Sequence, residues 1–142
     1  MIVAADSSFI FALYVVDSHS PDAHHRMAIK PSVTLAPFNR VELAHALHFQ
    51  VFLGKITLRD AARAWRNFED DCERGLWVSL ELPARTWETG IDLARKFGPT
   101  LGIRTLDSLH VACALELRAQ KFWTFDERQA RLAEAVGLDT KS

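Results

Sequence analysis

Four acidic residues of this chain stand beside or inside apolar segments. Asp6 and Asp126 each follow a short apolar segment, Glu42 lies within one, and Asp107 opens another. A carboxylate among apolar neighbours costs free energy unless another group pairs with it. A shared divalent cation is the simplest partner for all four, and such an ion can position a phosphate and activate water for hydrolysis. Because the predicted ligands are all oxygen atoms, the ion is expected to be Mg²⁺ or Mn²⁺.

Each acid also has an ordinary structural explanation when it is taken alone. Asp6 and Asp126 can cap the helices that follow them, and Asp107 can stabilise a helix dipole near an N-terminus. Glu42 lies inside a helical segment, where capping does not apply. Its alternative is an ion pair with Arg40 or another residue. Glu42 is therefore the acid that most favours a metal site.

The elements that would position these acids follow from the alternation of short apolar segments with helical ones, which predicts an α/β fold with a parallel sheet. The predicted strands are 2–5, 33–36, 77–82 and 122–125, and the predicted helices are 7–16, 39–53, 84–97, 105–118 and 127–136, with further helix starts at Ser20 and Thr57. Ligands bind beyond the carboxyl ends of parallel strands, so Asp6 and Asp126 are expected at one edge. Asp107 follows a predicted loop at 98–102, and both it and Glu42 can reach that edge.

The composition is that of an ordinary globular protein, with 142 residues, 49% hydrophobic residues and a net charge of −1. One domain over residues 1–142 is expected. The net charge does not indicate nucleic-acid binding by the protein surface as a whole, so any basic surface must be local. The two cysteines have no metal-site or disulfide spacing, which agrees with a reducing cytoplasm. No apolar segment approaches the ~20 residues of a membrane span, and the N-terminus lacks the basic start of a signal peptide.

Four segments together resemble a PIN domain of the VapC toxin type, over nearly the whole chain. They are Asp6-Ser7-Ser8, Arg40-Val41-Glu42-Leu43, the segment from Leu106-Asp107 to His110-Val111-Ala112, and Thr124-Phe125-Asp126-Glu127-Arg128-Gln129. The last of these, followed by Leu132-Ala133 and Gly137-Leu138, is the most specific. The resemblance implies a three-layer α/β/α sandwich with a short, mainly parallel central sheet.

The resemblance also implies an activity, which is Mg²⁺- or Mn²⁺-dependent hydrolysis of RNA to 5′-phosphate and 3′-hydroxyl ends. The acidic site residues would be Asp6, Glu42, Asp107 and Asp126, of which Asp6 and Asp107 are the expected direct metal ligands. Ser8 and Thr124 would hold the carboxylates in place. Many toxins of this type cleave tRNA or ribosomal RNA, form homodimers, and are inhibited by a small antitoxin whose C-terminal tail covers the site.

Several basic residues are candidates for contacts with RNA phosphates. Lys55, Arg59, Arg63 and Arg66 share a helix face that is more simply explained as solvated. Arg104 directly precedes the Asp107 helix and is the better candidate. Arg40 and Arg128 have similar positions but could instead pair with the acids.

Three other functions agree with parts of the sequence. Glu42-x-x-His45 and Asp107-x-x-His110 resemble the paired motifs of di-iron helix bundles, but that fold needs four long helices and further glutamates. His110 is therefore interpreted as a packed residue with one hydrogen bond. An inactive binding module of PIN fold is disfavoured by the intact set of acids. A PIN nuclease of RNA processing stays open as an alternative to the toxin.

Overall fold

The computed structural model describes residues 1–141, and its centre is a parallel sheet of short strands. The strands are β1 Val3–Ala5, β2 Val33–Leu35, β3 Trp77–Ser79 and β4 Lys121–Trp123. They lie in the order β3-β2-β1-β4, and every pairing is parallel. Because all four strands point the same way, their carboxyl ends meet at one edge of the sheet, as the sequence predicts.

Helices cover both faces of the sheet. They are α1 Ser7–Tyr14, α2 Ser20–Met27, α3 Pro37–Phe52, α4 Leu58–Glu73, α5 Thr86–Leu101, α6 Thr105–Glu116 and α7 Glu127–Ala135. Successive residues of a strand point to opposite faces. Val3 and Ala5 therefore join one buried cluster with residues of α1, α3 and α4, while Ala4 joins a second cluster with residues of α5, α6 and α7. The predicted three-layer sandwich is confirmed.

Most predicted boundaries agree with the structure to within about two residues, but those of α5 and β3 are wrong by more. The expected loop at 98–102 is the last turn of α5, which continues through Pro99 and ends at Gly102, where φ is +60°. Pro99 removes only one backbone hydrogen bond, and Phe97 and Leu101 pack against the second cluster, which favours the extra turn. Strand β3 stops at Ser79 rather than residue 82, because its partner β2 ends at Leu35.

Candidate active site

The carboxylate of Asp6 lies at the end of β1, where three groups of the chain bind it. Its Oδ1 accepts hydrogen bonds from the Ser8 hydroxyl at 2.6 Å and the Phe9 N–H at 3.2 Å. Its Oδ2 accepts one from the Thr124 hydroxyl at 2.6 Å. Asp6 is thus both the cap of α1 and part of a cluster that joins β1 to the segment after β4. The cap and the shared site are compatible explanations.

Thr124 connects Asp6 to Asp126. Its hydroxyl donates to Asp6 and accepts from the Asp126 N–H at 3.0 Å. The Asp126 carboxylate in turn accepts from the Gln129 N–H at 2.9 Å and caps α7. Ser8 adds a second link, because its hydroxyl oxygen accepts from the Phe125 N–H at 2.9 Å. The two acids that follow strands therefore lie side by side, as their positions in the sequence predict.

Arg104 lies between Asp107 and Asp126. The Asp107 carboxylate accepts from the Arg104 backbone N–H at 2.9 Å and from its Nε at 3.2 Å. The Nη2 atom of Arg104 lies 3.4 Å from Asp126. Asp107 is buried, whereas the Arg104 side chain is 63% exposed. This arginine can therefore leave its carboxylate partners without breaking the core.

Glu42 is held by Ser7 and His110. It accepts a hydrogen bond from the Ser7 hydroxyl at 2.9 Å, and its Oε1 contacts Nε2 of His110. His110 is buried and lies one turn after Asp107, so this contact joins α3 to α6. The predicted packed histidine with one hydrogen bond is confirmed.

The alternative ion pair between Glu42 and Arg40 does not form in the structure. The Arg40 guanidinium instead contacts Glu69 at 3.2 Å and lies over the ring of Trp65, on α4. The partner of Glu42 is His110, which is the other residue that this alternative left open, so the position of Glu42 depends on a long-range contact with α6.

The carboxylates differ in their electrostatic surroundings. Burial raises the pKa of Asp6, and the hydrogen bonds from Ser8 and Thr124 offset only part of that effect. Burial also acts to raise the pKa of Glu42, but its hydrogen bond with His110, the charge of that histidine and the Ser7 hydrogen bond outweigh it and lower the pKa. Of these two acids, Asp6 is the one whose charged form its surroundings stabilise less.

The side-chain donors around Asp6 can be compared with the ligands that a divalent ion prefers. Among residues 1–141, no three Asp, Glu, His or Cys side chains lie together as a ready-made metal cluster. Mg²⁺ commonly binds through only one or two carboxylates and keeps several waters. The donors are all hard oxygens, and a cation would balance the charge of buried Asp6. These residues therefore fit a hydrated Mg²⁺ or Mn²⁺ held by few protein ligands.

Two cavities meet at Asp126. The larger, of about 800 Å³, lies between α1 and α3 and is lined by apolar side chains such as Phe11 and Phe49, with Glu42 and Asp126 in its wall. The smaller, of about 290 Å³, is polar. Its lining comprises Arg104, Asp126, Glu127, Arg128 and Arg131. The acids therefore lie where an apolar groove adjoins a cluster of arginines.

Comparison with known proteins agrees with this arrangement. The family model for the PIN domain matches residues 3–135. This chain belongs to the PIN-domain family. No curated protein sequence matches the chain. The family and its parallel sheet exclude the four-helix bundle of the di-iron alternative.

Solved structures with PIN-like folds match over nearly the full chain. VapC20 of Mycobacterium tuberculosis, a toxin that cleaves the sarcin-ricin loop, has 18% identity and a TM-score of 0.71, with 96% of this chain and 95% of that chain covered. PAE2754 of Pyrobaculum aerophilum has 18% identity and a TM-score of 0.66, with 99% and 89% covered. VapBC2 of Rickettsia felis, bound to a fragment of its promoter DNA, has 12% identity and a TM-score of 0.68, with 99% and 98% covered. Identities this low establish a common fold.

Three positioning residues were not predicted from the sequence. Ser7 binds Glu42, and buried Asn39 donates to the Ala5 carbonyl at 2.9 Å, which ties the start of α3 to the end of β1. The Gln129 amide, also buried, donates to the Asp107 backbone carbonyl at 3.3 Å. Ser7 and Gln129 fall inside the motif segments, which was the available signal. For Asn39, the only signal in the sequence was its place one turn before Glu42.

Proposed function

We propose that this protein is a Mg²⁺- or Mn²⁺-dependent endoribonuclease that hydrolyses RNA phosphodiesters, and that it is the toxin of a VapBC-type toxin–antitoxin pair. The observation that carries the nuclease proposal is the linkage of all four acids at one edge of the sheet. Asp6 is linked to Asp126 through Thr124, and Asp126 to Asp107 through Arg104. Glu42 joins the same group through Ser7, which is the neighbour of Asp6 in the chain.

Each residue has a role in this proposal. Asp6 and Asp107, both buried, would hold the metal ion directly, while Glu42 and Asp126 would contact it directly or through water. The bound ion would neutralise the phosphate and activate water for in-line attack. Ser8 and Thr124 keep the Asp6 carboxylate in one orientation. Hydrolysis leaves a 5′-phosphate and a 3′-hydroxyl.

Arg104 is assigned to the substrate phosphate in this proposal. It is exposed and already paired with two acids. Its guanidinium would be free to bind two phosphate oxygens in bidentate fashion if a bound cation balanced the charge of those acids. Arg40 was a second candidate, but its contacts lie on α4, so Arg104 is preferred for this role.

The nuclease proposal is tested by RNA cleavage with added Mg²⁺ or Mn²⁺. Wild-type protein is expected to cleave, and both Asp107→Asn and excess EDTA are expected to abolish the products. Asp92→Asn is the matched control, because Asp92 is exposed on α5 and lies outside the site. Cleavage that survives in EDTA, or that persists in Asp107→Asn, contradicts the proposal.

The toxin role rests on the family and on the folds of the similar structures. VapC20 is a toxin that cleaves the sarcin-ricin loop, and VapBC2 is a toxin–antitoxin complex. By analogy, we infer that this chain acts in the cytoplasm on tRNA or ribosomal RNA, forms a homodimer, and is inhibited by a small antitoxin. No helix within residues 1–141 has the length and apolar character needed to cross a membrane.

Expression in a bacterial host tests this role separately from the chemistry. Growth arrest that is relieved by the product of an adjacent small reading frame is the expected result. Harmless expression of an active nuclease favours the RNA-processing alternative.

A further inference from the structure

A column of aromatic rings lies beside the acids, and two of its members, His19 and Phe125, line the apolar groove. The ring of His19 lies over Phe125, with ring centroids 4.4 Å apart and an angle of only 8° between the planes. Phe125 in turn stacks on Phe9 at 5.6 Å, with 25° between the planes. The column therefore begins in the core and ends at a surface ring.

His19 is placed to receive a further ring. It is exposed and lines the groove together with Glu42 and Asp126. Within residues 1–141, His19 stacks on no other ring besides Phe125, and no hydrogen bond to its ring nitrogens is found. Its backbone N–H is held by Asp17 at 2.8 Å, which fixes the loop that carries it. One face of a preorganised planar ring is thus available to a ligand.

The position of this ring relative to the acids indicates the ligand. Phe125 is the neighbour of Asp126 in the chain, and its N–H is held by Ser8, which also binds Asp6. On the other side of Asp126 lies the arginine cavity, where three arginines outnumber two acids, so its lining has a small net positive charge that suits a phosphate backbone. Proteins bind single-stranded nucleic acid by combining a basic surface with aromatic rings on which bases stack.

We propose that the stacked rings of His19 and Phe125 form a platform for an unpaired RNA base beside the scissile phosphate. This inference rests on the proposed nuclease function and names the residues that would hold a base of an unpaired strand next to the cleaved bond. A base in a duplex is already stacked and paired, so its face is not available to His19. His19 is a positioning residue for the substrate.

The test is a double-mutant cycle in which one change is made in the protein and the other in the RNA. The cleaved bond is first mapped in a short RNA, and each flanking nucleotide is then replaced by an abasic one. For wild-type protein, the abasic substitution at the stacked position is expected to lower kcat/KM by about 5- to 100-fold, mainly through KM. His19→Ala is expected to show the same loss on intact RNA and no further loss on abasic RNA.

Two variants control this cycle. His19→Phe keeps a planar ring and is expected to restore the preference for the intact strand. His24→Ala removes another exposed histidine, from α2, that lies outside the groove, and is expected to behave as wild type. If the abasic substitution costs wild type and His19→Ala equally, the platform is wrong while the nuclease stands. That result would favour a partner polypeptide as the occupant of the groove.

A measurement that needs no cleavage separates this inference from the nuclease proposal. An RNA strand that carries the fluorescent base 2-aminopurine is titrated with each protein, because stacking quenches its emission. Stronger quenching by wild type and His19→Phe than by His19→Ala is expected, and it should disappear when the strand is in a duplex. Equal quenching by all three proteins overturns the platform, whether or not the wild type cleaves RNA.

Discussion

Helix α1 has a polar network at each end, and the two networks differ in how their charge is balanced. At the C-terminal end, the Tyr14 hydroxyl donates to Asp71 at 2.6 Å and accepts from Trp77 Nε1 at 2.7 Å. Arg74 lies 3.9 Å from Asp71, so this single acid has a cation beside it. At the N-terminal end, four carboxylates share Arg104 and His110 as the basic groups in contact with them.

This difference separates a structural network from a candidate functional one. Around Tyr14, the donors and acceptors match and the acid is balanced, so the network needs nothing from outside the chain. Around Asp6, the acids outnumber the basic groups, and Asp6 keeps a raised pKa in spite of three hydrogen bonds. An excess of buried negative charge lowers stability and is expected where a cation binds. Two substitutions on α1 and its flank test the distinction.

The largest effect is expected for Asp6→Asn. Asparagine keeps the shape of the side chain but removes a buried charge and the proposed metal ligand, so RNA cleavage is expected to fall by about 100-fold or more. The melting temperature is expected to stay unchanged or rise, because an unbalanced buried charge is lost. Activity assays and thermal unfolding of the same preparation measure both. A variant that is active but destabilised would assign Asp6 to the structural class instead.

The opposite pattern is expected for Tyr14→Phe. The substitution leaves Nε1 of buried Trp77 and the carboxylate of Asp71 without their partner, and unpaired groups of this kind cost about 1–3 kcal/mol. Urea unfolding is expected to show this loss in the free energy of unfolding, while kcat for RNA cleavage at low temperature stays within about twofold of wild type, since the site is at the other end of the helix. A large loss of kcat without loss of stability would show that the two networks are coupled.

The smallest effect concerns the ionisation of Tyr14 itself. Burial, followed by the hydrogen bond to Asp71, raises the pKa of Tyr14 above its ordinary value of 10.0. Above that pH the unfolded chain releases a proton that the native protein retains, so the free energy of unfolding falls as the pH rises. Tyr14 is the one tyrosine in the sequence, so phenolate absorbance reports it alone. If Tyr14 titrates in the native protein at or below its midpoint in the urea-unfolded chain, its hydroxyl is not held in the buried network with Asp71 and Trp77.

Features encoded by neighbouring residues could be predicted from the sequence. The short apolar segments that end at Asp6 and Asp126 located two acids at one edge, because strand direction alone determines which ends meet. The capping box at Thr57 is also local, and the structure has both of its hydrogen bonds, with Asp60, at 3.0 Å. The assignment of the acids to catalysis stays a prediction until it is tested by substitution.

Features that depend on distant contacts could not be predicted. The partner of Glu42 is His110, which is 68 residues away, and no pattern near Glu42 selects it over Arg40. The Tyr14 network joins residues 57 and 63 positions apart. Pro99 was misread for a related reason, since tertiary packing of Leu101 outweighs the local preference for a helix end. Packing decides these cases, and sequence patterns do not specify it.

The pairing of β1 with β4 has a consequence for synthesis. The hydrogen bond between Thr124 and Asp6 spans 118 residues, so Asp6 gains this partner only after residue 124 has been synthesised. A chain emerging from the ribosome presents α1 to α5 well before β4 and α7 exist. Until then, Asp6 lacks Thr124, and Asp107 lacks its link to Asp126. The cluster of acids is therefore incomplete on a nascent chain until residues 121–126 have left the ribosome.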